Sequence, residues 1–93
     1  MSGDAVERSV QIVNRAGLHA RPAAQLVKLA SDFPCDIEIG KDRLTVNAKS
    51  IMGVLMLAAE HGSEVELRCS GERAGEALDA LTRLIASGFE EEA

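Results

Sequence analysis

The sequence predicts an α/β (α+β) fold, an open-faced two-layer sandwich of order βαββαβα with three helices on one face of a four-stranded antiparallel sheet. Three observations predict it. Four short segments alternate apolar and polar residues, so each strand buries one face and wets the other. Three further segments repeat their apolar residues at helical spacing or carry them all round. Glycine-containing breaks then separate the later elements, and the clean alternation favours helices covering only one side.

Each element has its own signal. Val6, Val10 and Ile12 face one way along a first strand over residues 6–13. A first helix over residues 20–31 repeats Ala23, Leu26, Leu29 and Ala30, with Phe33 just beyond. Cys35, Ile37 and Ile39 alternate with Asp36 and Glu38 in a second strand. Gly40-Lys41-Asp42 is a turn signal, and Leu44, Val46 and Ala48 make the third strand, so the pair reads as a hairpin. A short helix runs from Ser50 to about Leu57. His61-Gly62-Ser63 then turns the chain into a fourth strand carrying Val65, Leu67 and Cys69. After Ser70-Gly71-Glu72, a last helix from Arg73 to Ser87 keeps Ala74, Ala77, Leu78, Leu81, Leu84 and Ile85 on one stripe. Gly88 is suited to stop it.

Bulk properties set the class. Ninety-three residues suit one domain, spanning 1–93 with a core of about residues 6–89 and ends open to fraying. An apolar fraction of 46% excludes general disorder, and with only Phe33 and Phe89 as aromatics the core is aliphatic. The longest apolar run, Val54 to Ala59, is too short for a membrane span, and Met1–Arg8 lacks the pattern of a signal peptide. A cytoplasmic protein with no membrane partner is expected. A net charge of −5 and the acidic Glu90-Glu91-Glu92 tail argue against nucleic acid. Cys35 and Cys69 form no CxxC pair; they read first as free thiols, with a disulfide or two metal ligands as alternatives.

The chemistry concentrates in Gly17-Leu18-His19-Ala20-Arg21-Pro22. His19 falls at or near the N-cap of the first helix, and Pro22 sits in the first turn, where a missing N–H costs little. Backbone N–H groups and the positive helix end favour an anion there, and Arg21 adds a fixed cation suited to phosphate. Both disfavour imidazolium and so favour the neutral, nucleophilic ring. Three other readings compete. His19 can be a plain N-cap; it can be a metal ligand, although His61 is the only other histidine; or it can belong to a Cys–His–Asp hydrolase, for which so small a chain leaves little room. A phosphoryl acceptor fits the local physics best, since Arg21 and the first turn would meet the new charge.

A second stretch, Asn47-Ala48-Lys49-Ser50-Ile51-Met52-Gly53-Val54-Leu55-Met56-Leu57, puts Ser50 at a helix N-cap. Its helix is apolar all round. If Val54 and Leu57 enter the core, Ile51, Met52 and Leu55 form an exposed patch of the kind that meets partners. Ser50 can simply cap; a phosphate on it would instead place about two negative charges beside that patch and repel a partner.

Together these motifs resemble those of the HPr family, the histidine-containing phosphocarriers of the bacterial phosphoenolpyruvate-dependent sugar phosphotransferase system. The similarity runs from about Val6 to Phe89. It implies that His19 accepts a phosphoryl group on Nδ1 from phosphorylated enzyme I and donates it to a histidine of a IIA domain. Arg21 then matches the phosphate-partner arginine, and Ser50 the serine modified by HPr kinase/phosphorylase. Ala20, Ile51, Met52 and Leu55 match the docking surface. The resemblance implies a monomeric carrier, not an enzyme in the strict sense, with no metal and no organic cofactor. Ala16 and Ala20 stand where some relatives carry Asn and Thr. A nitrogen-type regulatory carrier and a binding module without transfer stay as alternatives.

Overall fold

The elements follow the predicted order: β1 (Val6–Gln11), α1 (Ala20–Ser31), β2 (Asp36–Lys41), β3 (Leu44–Asn47), α2 (Ile51–Met56), β4 (Glu64–Ser70) and α3 (Ala74–Ala86). A 3-10 turn, Gly88–Glu90, follows α3. This computed structural model describes residues 5–90, so Met1–Asp4 and the Glu91-Glu92 part of the acidic tail lie outside the described residues. The four strands form one antiparallel sheet of order β1-β4-β2-β3. Its register pairs Val10 with Val65, Ile39 with Leu67 and Ile37 with Cys69. These residues face the helices, where Leu26, Val54, Leu78, Leu81 and Ile85 complete the core.

The opposite face is open. Glu7, Glu66, Arg68 and Glu38 lie on it, and Arg68 reaches Glu7 at 3.2 Å and Glu38 at 3.9 Å. Such exposed pairs contribute little to stability, so the helix side holds the sandwich together. The cysteines are buried free thiols in that layer.

The boundaries shift for local reasons. β1 stops at Gln11 rather than residue 13, because Ile12 bonds the loop before β4: its N–H donates to Ser63 O and its carbonyl accepts from Gly62 N, each at 2.8 Å. The hairpin turns one step later than Gly40-Lys41-Asp42 suggested, at Asp42-Arg43, where Asp42 takes φ 56°. β2 and β3 still face each other as expected. The last helix starts at Ala74, with Arg73 as a left-handed N-cap at φ 63°. The guanidinium of Arg73 binds Glu76 at 2.9 Å and lies 5.0 Å from the Phe33 ring centre.

The chain end carries an unexpected feature. Gly88 stops α3 at φ 71°, as its sequence position suggests, but Phe89 then folds inward and is fully buried. Gly88 packs beside Val13 and Asn14, so the C-terminal turn supports the loop that leads to His19.

Candidate functional site

His19 is the N-cap of α1. Its backbone is extended (φ −85°, ψ −167°), its carbonyl accepts from Ala23 N at 2.9 Å, and its ring makes no capping bond. A cap side chain ordinarily accepts from the third helical residue, but here that residue is Pro22, which has no N–H. That third-residue cap is therefore closed to the imidazole. His19, Ala20 and Arg21 are all exposed, while Pro22 and Ala23 are buried and anchor the first turn. His19 and Arg21 therefore present an imidazole and a guanidinium from one helix start.

The loop below them is tightly held. Gly17 adopts φ +73°, and a Cβ there would lie 2.7 Å from Ala59 O, so only glycine fits. Leu18 N donates to the same Ala59 carbonyl at 2.8 Å, and its side chain enters the core. Asn14, buried, donates through Nδ2 to Gly17 O at 2.7 Å, while Gly17 N returns a bond to Asn14 O at 3.1 Å. Buried polar bonds of this kind fix a loop, because breaking one strands a desolvated group. Sequence reasoning passed over Asn14 as a site residue. An asparagine three residues before a glycine is a turn signal, but only the fold shows that its amide faces inward.

Ser50 caps α2. Its Oγ accepts from Gly53 N at 3.1 Å, as the N-cap reading expects. Lys49 is occupied elsewhere: its Nζ donates to Phe33 O at 2.7 Å, just past the end of α1. The start of α2 thus lies by the end of α1, and the Leu18–Ala59 bond sets the end of α2 by the start of α1. The two helices run antiparallel. Ser50 and His19 consequently sit at opposite ends of α2, and the structure does not bring them together.

Between those ends lies the apolar face. Val54 and Leu57 are buried, whereas Ile51, Met52 and Leu55 are exposed at 38%, 67% and 36%, as the composition of the helix predicts. Met56, at 65%, belongs to the same face and extends it toward the His19 end. Among the described residues, the open sheet face carries shallow mixed-charge cavities, one of about 420 Å³ lined by Lys41, Asp42, Glu64 and Glu66 and away from His19. His19 and Arg21 are thus exposed at the start of α1, and the exposed apolar residues lie on the neighbouring α2.

The chain is similar to known proteins over nearly its whole length. The family model described as the PTS HPr component phosphorylation site matches residues 6–87. The phosphocarrier protein HPr of Treponema pallidum is 51% identical over 87 residues, which is 94% of this chain and 99% of the relative. The crystal structure of HPr from Thermoanaerobacter tengcongensis superposes with a TM-score of 0.91 at 46% identity, covering 95% of this chain and 99% of that one. An HPr dimer from the same organism matches with a TM-score of 0.75 at 48% identity over 88% of this chain and 94% of that one. With both motifs inside the matched span, the chain belongs to the HPr family of the phosphotransferase system and is a phosphocarrier rather than an enzyme.

Proposed function

We propose that His19 is the phosphoryl acceptor of a sugar-type carrier. In this reading the Nδ1 lone pair attacks the phosphorus held on the histidine of phosphorylated enzyme I. A new N–P bond forms as the donor's N–P bond breaks, and the reverse geometry then passes the group to a IIA domain. Arg21 and the positive end of α1 meet the incoming charge. The observation that carries the reading is the exposed His19 at a helix start whose third residue, Pro22, has no N–H to donate to a cap. The face of Ile51, Met52 and Leu55, with Ala20, docks the protein partners.

Ser50 is the regulatory position. Its context of Lys49 and Ile51-Met52-Gly53-Val54 favours modification by HPr kinase/phosphorylase and the sugar branch over the nitrogen-type branch. The carrier acts as a cytoplasmic monomer, with enzyme I, IIA domains and the kinase as its partners. Size exclusion tests this against a dimer of the kind crystallised for the Thermoanaerobacter protein.

Intact-protein mass spectrometry tests the main claim. Incubation with phosphoenolpyruvate and enzyme I should add one phosphoryl group that is lost in acid and maps to His19. Incubation with ATP and the kinase should add an acid-stable group at Ser50. An unmodified His19 beside a demonstrably active enzyme I would shift the reading to a nitrogen-branch donor or to a module that only binds.

A further inference from the structure

The docking face of α2 carries both methionines of the described residues, Met52 and Met56. They are the two most exposed large apolar side chains of that face, at 67% and 65%. Four residues apart on a helix, they are neighbours on one surface. Their thioethers are therefore open to solvent within the patch proposed to meet partners. Among the described residues, the other sulfur groups are shielded. Cys35 and Cys69 are buried at 2% and 0% exposure, and burial, with Cys35 alongside, pushes the Cys69 thiol up to about 11. A thiol that stays protonated and buried reacts poorly with oxidants, which require an accessible thiolate.

We propose that Met52 and Met56 form an oxidation-sensitive modification site, at which hydrogen peroxide converts the thioethers to sulfoxides and weakens partner docking. The step balances. A sulfur lone pair attacks one peroxide oxygen, the O–O bond breaks, an S–O bond forms and water leaves. Sulfur is oxidised by two electrons and peroxide is reduced. The product is polar and chiral where the interface needs an apolar, pliable side chain, and methionine sulfoxide reductase can reverse it. Because both side chains point outward, the sandwich itself is unaffected. The effect on transfer rests on the reading that this face docks enzyme I.

The test treats the full chain with hydrogen peroxide, maps sulfoxides by peptide mass spectrometry, and compares each protein with its own untreated sample. Sulfoxide at Met52 and Met56 should raise the KM for transfer from phosphorylated enzyme I about tenfold, with kcat and the thermal midpoint little changed. Reductase treatment should restore it. The M52L/M56L variant, which keeps Met1 and both cysteines, should lose this peroxide response. An unchanged KM with both sulfoxides present would overturn the proposal, as would an equal peroxide response in M52L/M56L or failure of either sulfur to oxidise ahead of the cysteines. If untreated protein accepts no phosphoryl group at all, the carrier reading fails, and with it the proposed consequence of oxidation.

Discussion

The starts of α1 and α2 resemble each other in backbone and differ in the use of the cap. In both, the N-cap residue is extended and its carbonyl accepts the first helical bond, from Ala23 N at 2.9 Å and from Val54 N at 3.0 Å. In α2 the third helical residue is Gly53, whose N–H is bound by Ser50 Oγ. In α1 that position is Pro22, and no such donor exists. One helix start is therefore closed by its own side chain, while the other has an exposed cap residue whose side chain makes no cap bond. A single backbone frame yields a stabilising cap in one place and, in the other, the exposed imidazole proposed to accept the phosphoryl group.

The largest expected effect is on the presented side. His19→Ala should abolish phosphoenolpyruvate-dependent labelling, while its unfolding free energy stays within about 0.5 kcal/mol of the parent, since the ring makes no cap. Labelling of the mutant, or a collapse of its stability in urea titration, would break the comparison. Gly17→Ala comes next. Its positive φ and the 2.7 Å approach to Ala59 O should cost about 2 kcal/mol and displace the His19 loop, read as a lower urea midpoint with slower transfer. A stable, fully active variant would show that the loop tolerates movement.

Ser50 gives the converse result. Ser50→Ala should cost about 1 kcal/mol through the lost cap while transfer persists. Ser50→Asp retains a capping oxygen and should keep stability, yet raise the KM for enzyme I by setting charge beside Ile51 and Met52. Equal stability of the Ala variant and the parent would mean that the bond contributes nothing.

The last effect vanishes at neutral pH. The Cys69 thiol titrates near 11 in the fold against an ordinary 9.0, so folding favours its protonated form. Its contribution is complete below pH 9 and is lost as pH rises from about 9 through 11. Thermal melts of the His19→Ala and Ser50→Ala variants should show the same alkaline decline as the parent, and Cys69→Ala should flatten it. A decline unchanged in Cys69→Ala would assign it to other groups.

Much of the fold around the candidate site was legible because its signals are local. The alternation of Ile37 and Ile39 with Asp36 and Glu38 fixes which face of β2 is buried, since successive side chains of a strand point oppositely. Pro22 and Ser50 mark helix starts by their backbone chemistry alone. The excess of apolar residues in α2 announces an exposed patch, because a short helix on a small domain cannot bury its whole circumference. Asn14, Phe89 and Lys49 gave no comparable signal. Their partners are Gly17 O across a turn, the hydrophobic core, and Phe33 O sixteen residues back.

By itself, then, the sequence determined the element types and order, the buried face of the inner strands, both helix starts and the exposure of Ile51, Met52 and Leu55. Each of these depends on residues within a few positions, where periodicity and backbone preference act directly. Tertiary structure alone decided that β4 lies between β1 and β2, that Ala59 O receives Leu18 and leaves room only for Gly17, that Met56 joins the apolar face, and that Ser50 and His19 stand at opposite ends of α2. Those features come from contacts between distant segments, and they are set by how the helices pack on the sheet rather than by any local pattern.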